Sequence, residues 1–121
     1  LIWTAGTSPN PQLEGVPCRK ERGRICTDEF MRVEGWENVW AVGDCAAIPD
    51  AKTGKFHPPT AQHAIRQGKI LAHNLKAEIR GGKQKPFDFS TIGQLAALGR
   101  RTGVAQIFGY NFSGFFAWWL W

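Results

Sequence analysis

The clearest periodic segment lies between residues 60 and 80. Apolar or small residues fall at Ala61, Ala64, Ile65, Gly68, Leu71, Ala72, Leu75 and Ile79. Spacings of three and four put them on one face of an α-helix. Arg66, Lys69, His73, Lys76 and Arg80 follow the opposite face, in steps of 3, 4, 3 and 4. Pro58-Pro59 sets the start, because a proline ring fixes φ and excludes helix from the residue before it. Gly81-Gly82 supplies the stop, and Lys76 and Arg80 suit the negative end of the helix dipole.

Shorter apolar runs predict strands on either side. Residues 1–6 read as the tail of a buried strand entering a glycine turn, and 7–23 as loop, broken by Pro9, Pro11, Gly15 and Pro17. Residues 24–33 fit a short strand, a turn and a second strand; 35–37 fit a turn. An apolar strand is expected over 38–42, ended by Gly43-Asp44. Residues 51–59 are loop and 83–86 a linker. A hairpin follows, its strands at 93–98 and 104–108 around the glycine-flanked loop 99–103. From Ser113-Gly114 onward an aromatic helix begins. A core strand at one end and an uncapped helix at the other predict that the chain is part of something longer. The fold class is α/β: residues 1–84 are α/β in character, and 85–121 read as the start of a separate α+β domain.

Composition narrows the function. A 43% hydrophobic share in 121 residues excludes a disordered polyelectrolyte. The longest apolar run, residues 115–121, falls far short of the roughly 20 needed to span a bilayer, and no signal-peptide pattern opens the chain. The formal charge of +5 is split: residues 1–50 carry −3 and residues 51–121 carry +8. The basic half points to an anionic partner, whether nucleic acid, membrane surface or phosphorylated cofactor. Trp118, Trp119 and Trp121 crowd the last four residues. Cys18, Cys26 and Cys45 form no CxxC pair, which argues against a disulfide scaffold and fits a reducing compartment.

Two places could carry chemistry. At Gly43-Asp44 glycine permits close backbone approach, and the carboxylate can accept hydrogen bonds from polyol hydroxyls; alternatively Asp44 merely caps the turn that follows. At Pro58-Pro59-Thr60-Ala61-Gln62 a helix start presents free amide N–H groups and partial positive charge, suited to an anion or a ring that becomes anionic on reduction; an ordinary proline-led helix start reads the same. His57, His63 and His73 lack the spacing and partners of a metal site, so no metal is expected, and His73 reads as a solvated member of the basic face. Arg100 and Arg101 sit in a loop that matches no P-loop, and no GxGxxG occurs anywhere. No residue qualifies as a catalytic nucleophile, because none has an activating partner.

Taken in order, Trp3-Thr4-Ala5-Gly6, Asn38-Val39-Trp40-Ala41-Val42-Gly43-Asp44 and Pro59-Thr60-Ala61-Gln62 resemble the latter half of flavoproteins with two dinucleotide-binding domains. More specifically, Ala61-Gln62-His63-Ala64-Ile65-Arg66-Gln67-Gly68 resembles the Ala-Gln-x-Ala-x-Gln signature of the type II NADH dehydrogenases, single-subunit NADH:quinone oxidoreductases. The chain departs at Arg66, where the signature has Gln. Gly93-Gln94-Leu95-Ala96-Ala97-Leu98-Gly99 and the Trp-rich tail are similar to that family as well.

The resemblance implies the C-terminal part of an FAD/NAD(P)-binding Rossmann-like flavoprotein, followed by the start of a membrane-associating domain at 85–121. It implies FAD as cofactor, with Gly43, Asp44, Thr60, Ala61 and Gln62 as cofactor-binding residues. Gln62, Ile65 and Arg66 would lie toward a membrane quinone. NADH would be the substrate, bound by residues outside this chain, and electrons would reach the quinone without proton pumping. The same resemblance implies a peripheral enzyme on the cytoplasmic face of the cell membrane, attached to an anionic surface, with a homodimer left open. The 121 residues by themselves are expected to be inactive. Competing readings are a sulfide:quinone or ferredoxin-type reductase of the same superfamily, and a non-catalytic basic, Trp-rich membrane-surface module. Nucleic acid is not expected as a partner, since the basic helix face is its only support.

Overall fold

The computed structural model describes residues 8–121, so the strand expected at residues 1–6 lies outside the described residues. The chain divides into two compact units, one running to Phe89 and one spanning Ser90–Trp121.

The first unit is a small mixed sheet under one long helix. The stretch expected to be loop contains a 3-10 helical turn, Pro11–Gly15, started by the Asn10 side chain, which accepts from Gln12 N–H at 3.0 Å. Strands β1 (Lys20–Glu21) and β2 (Arg24–Cys26) then pair antiparallel. Their two-residue connection takes positive φ at Arg22 and Gly23, the geometry that matches the twist of a tight hairpin. Strand β3 (Ala46–Ala47) runs parallel to β2. The turn after β2 is built by Asp28, whose carboxylate accepts from the N–H groups of Phe30 and Arg32 at 2.9 and 2.8 Å. This side-chain mimic of a backbone turn sends the chain back, so that Thr27 bridges Val33.

Residues 38–42 are not the strand expected. They make a single bridge, Arg32 to Trp40, and the paired strand follows the Gly-Asp turn instead of preceding it. The core comprises Ile25, Met31, Val33, Ala41, Ala46, Ile48 and Phe87. Because Phe87 is buried there, and its N–H bonds the Glu29 carbonyl at 2.7 Å, the chain stays with this unit beyond residue 84.

Helix α1 (Ala61–Arg80) starts and stops as expected. Gly81 closes it in the left-handed conformation, and Gly82 N–H bonds the Ala77 carbonyl at 2.7 Å. Its buried face, however, is not the apolar one. His63, Gln67, Asn74 and Ala77 are buried, whereas Ile65 is 61% and Ile79 85% exposed. The helix lies against loops, whose backbone groups need hydrogen-bond partners, and polar side chains supply them.

The second unit is an antiparallel meander of β4 (Gly93–Gly99), β5 (Thr102–Ile107) and β6 (Tyr110–Gly114). The hairpin between β4 and β5 follows the sequence pattern. Strand β6 was not foreseen; its signal is the alternation of Tyr110 and Phe112 with Asn111 and Ser113, after a Phe108-Gly109 turn with positive φ at both residues. Helix α2 (Phe115–Leu120) packs on the face of β5 that carries Gly103 and Ala105. A Cβ at Gly103 would sit 2.8 Å from Trp118 N, so only glycine admits the helix at this distance.

Candidate functional site

Gly43–Cys45 forms a one-turn 3-10 segment between the extended residues before it and β3. Gly43 has φ +72, a conformation costly for any residue with a side chain. Its N–H is already committed, donating to Gln67 Oε1 on α1 at 2.7 Å. Gly43 therefore offers a ligand close approach but no free donor, and Gln67 locks the turn to the helix. Sequence reasoning missed Gln67; its signal is a carboxamide in register with the buried side of α1.

Asp44 is exposed, and its carboxylate makes no side-chain hydrogen bond to another described residue. It opens on a cavity of about 390 Å³ that it shares with Asn10, Arg22, Arg24, Cys45 and Pro59. Arg24 is fixed there by the carbonyls of Ala46 at 3.3 Å and His57 at 3.1 Å. Pro59 lies two residues ahead of α1, so the concavity runs from the Gly-Asp turn to the segment that leads into the helix.

At that terminus Thr60 is extended and does not cap the helix with its side chain. Its hydroxyl instead lies 2.8 Å from His63 Nδ1. His63 is 1% exposed and packs edge-on against Phe89, with ring centroids 5.0 Å apart. His57 lies 5.4 Å from His63 and meets Phe87 edge-on at 4.8 Å. Burial pushes both imidazoles below the usual histidine range. The two rings are packing groups in an aromatic box. His73 is not a freely solvated residue of the basic face: its Nε2 lies 3.3 Å from the Lys83 carbonyl.

Gln62, Ile65 and Arg66 come together on the first two turns of α1. Gln62 is half-buried and engaged, and Ile65 projects outward. Arg66 donates from Nη1 to the Gln62 carbonyl at 3.0 Å, and its guanidinium carbon stands 4.1 Å above the Phe89 ring. The contribution of Phe89 was not legible, because it arrives from a segment 23 positions further along the chain.

The residues present fit a flavin nucleotide. An exposed carboxylate without a side-chain partner among the described residues suits a polyol chain. The helix start beyond Pro59 suits the electron-rich edge of a ring. The loop arginines, Arg100 and Arg101, belong to the second unit, at the β4–β5 turn.

The chain is similar to known proteins over most of its length. A type II NADH:quinone oxidoreductase from Staphylococcus aureus strain NCTC 8325 is 32% identical over 113 residues, which is 93% of this chain and 28% of that protein. The corresponding protein of strain MSSA476 is 31% identical over the same length. The chain thus spans a little over a quarter of the curated relatives it matches. Among solved structures, NDH2 from Plasmodium falciparum in complex with NADH superposes with a TM-score of 0.73 at 19% identity, covering 93% of this chain and 38% of that one. That likeness shows a shared fold. The family profile described as pyridine nucleotide-disulphide oxidoreductase matches residues 1–68. Since that is more than half of the 121 residues, the chain belongs to the pyridine nucleotide-disulphide oxidoreductase family.

Proposed function

We propose that the chain forms the flavin and quinone side of a type II NADH:quinone oxidoreductase. NADH, a proton and a quinone become NAD⁺ and a quinol, without proton pumping. The observation that carries this reading is the Asp44 carboxylate, exposed on the cavity it shares with Pro59, just ahead of α1. FAD, when bound, supplies a two-electron carrier between nicotinamide and quinone. Gly43, Asp44, Thr60, Ala61 and Gln62 hold it: the carboxylate accepts from polyol hydroxyls, Gly43 gives room, and the helix start favours negative charge on the ring. Gln62, Ile65 and Arg66 face the quinone, and NADH is bound by residues outside the chain.

The second unit supports membrane contact, which in this reading is with the cytoplasmic face. Phe108, Tyr110, Phe116, Trp119 and Trp121 are exposed on it; Tyr and Trp, aromatic with a polar tip, favour the water–lipid boundary, and the Phe rings add apolar surface. No described helix is long and apolar enough to cross a membrane.

The test uses the full-length enzyme. The wild type is expected to hold one flavin and to couple NADH oxidation to quinone reduction. Asp44→Ala should lower bound flavin at least fivefold with an unchanged far-UV spectrum. Full flavin occupancy in Asp44→Ala, or NADH oxidation that never reaches a quinone, would remove the proposal.

A further inference from the structure

We infer that Arg66, held in place by Phe89, makes the quinone side of the site prefer rings that carry negative charge on oxygen. The inference rests on the functional reading above and concerns the position where the chain departs from the Gln of the resembling signature.

Charge on α1 is one-sided. From Ala61 to Ala77 it carries Arg66, Lys69, His73 and Lys76 and no acid; the helix's one acid, Glu78, is paired with Arg32. No described carboxylate pairs with Arg66. The acids nearest the aromatic box are committed elsewhere: Asp88 to Lys52 at 2.7 Å, and Asp50 to Lys52 N–H and the Thr53 hydroxyl. Arg66 is half-buried, so its charge is incompletely solvated and gains from an anion.

Its position is fixed at two points. One of its five N–H donors is spent on the Gln62 carbonyl, and the guanidinium plate rests 4.1 Å above Phe89. The remaining donors form a pre-set fork, and Ile65, exposed on the same turn of α1, offers an apolar contact to a ring. A neutral carbonyl gains an ordinary hydrogen bond from such a fork, whereas an ionised ring oxygen gains a charge-assisted one, roughly twice as strong. The partial positive charge of the helix start acts in the same sense. Phe89 is the positioning residue, because without its ring the guanidinium loses its platform.

Equilibrium dialysis of the full-length enzyme tests this with two rings of similar shape. One is 2-hydroxy-3-methyl-1,4-naphthoquinone, ionised at neutral pH; the other is neutral 2,3-dimethyl-1,4-naphthoquinone. The wild type is expected to bind the ionised ring at least tenfold more tightly. Arg66→Gln should bring the ratio to about one, and Arg66→Lys should retain part of it. Phe89→Leu should lower the ratio, and Phe89→Trp should restore it, a rescue that a merely structural role would not produce. Equal affinities in the wild type, or a preference surviving in Arg66→Gln, overturns the inference. NADH-driven reduction of the neutral ring is measured alongside. If that turnover is present, a failed preference leaves the functional reading intact. If the preference is present without turnover, the functional reading fails while the anion-selective site stands.

Discussion

The two units solve the same problem in opposite ways. Among the described residues up to Phe89 the strands are two or three residues long, and much of the fold is loop tied down by side chains reaching across the sequence. Gln67 holds Gly43, Asn74 holds Lys85 through both its amide atoms, and Arg24 holds the carbonyls of Ala46 and His57. From Ser90 onward the chain is a meander of consecutive strands, paired backbone to backbone and covered on one face by the helix that follows directly. The first unit buries polar anchors and the second leaves its largest aromatics outside. A loop-built site needs many fixed backbone groups, hence polar anchors inside. A local meander needs only small residues where helix meets sheet.

The sharpest way to break this contrast is at Gly103. An added side chain would press within 2.8 to 3.1 Å of backbone atoms of Trp118 and Ala117, which cannot rotate away. Gly103→Val is therefore expected to lift α2 from the sheet at a cost of about 3 kcal/mol, the upper end for overpacking. Hydrogen–deuterium exchange should accelerate across β4, β5 and α2 while α1 stays protected. Unchanged protection of α2 would show that helix and sheet are not packed through this glycine.

The matching experiment in the first unit removes an anchor. Asn74 is fully buried; it accepts from Lys85 N–H and donates to Lys85 C=O, both at 2.8 Å. Asn74→Ala strands both backbone groups and should cost about 2 kcal/mol. Residues 83–87 should lose exchange protection first. Gln67→Leu is milder, about 1 kcal/mol for one stranded N–H. Its local readout is the Gly43 amide, which should exchange faster. If either variant is neutral, the loops are held by something other than these carboxamides.

These anchors also mark where the sequence stopped being informative. Helix α1 could be placed within a residue from periodicity, proline and glycine, because those signals are local. Its buried face could not, because hydrophobic spacing assumes that burial means an apolar core. Here His63, Gln67 and Asn74 take the inside and Ile65 and Ile79 the outside. Gly43-Asp44 was legible as a break in the chain, but as the end of a strand over 38–42 and not as the turn that leads into β3. Its lock on Gln67 and the stacking of Arg66 on Phe89 join positions 24 and 23 apart, which no local pattern encodes. In the second unit the β4–β5 hairpin was visible in its glycines. Strand β6 was overshadowed by the aromatic run that follows it.

Acid should separate the units next. His57 and His63 are held below the usual histidine range chiefly by burial; Asp50 opposes this at both rings, and Asp88 at His57. Nε2 of His57 is buried without a partner among the described residues, so a doubly protonated ring is poorly accommodated. The unfolded chain then takes up more protons than the folded one as pH falls below about 6.5, so stability drops with acid through that range. The first unit should have a lower urea midpoint at pH 5.5 than at 7.5, whereas the second unit contains no histidine and should change little. His57→Phe with His63→Gln should flatten the difference. A slope that persists in that double variant would assign the acid sensitivity elsewhere.

The smallest effect on folding is expected at the outer aromatics, and it sharpens the contrast most. Trp119 is 69% and Trp121 71% exposed, so water already solvates them and little packing is lost on truncation. Trp119→Ser with Trp121→Ser should change the stability of the meander by less than about 0.5 kcal/mol, as for surface positions in general. Trp118→Ser, at the half-buried position against Gly103, should cost several times more. Two tryptophans kept outside at no benefit to the fold need another use. Binding to vesicles containing phosphatidylglycerol should therefore fall about tenfold in the double variant, read by flotation of the full-length enzyme. Undiminished flotation would remove the membrane contact from these residues, and a large loss of stability would place them in the core.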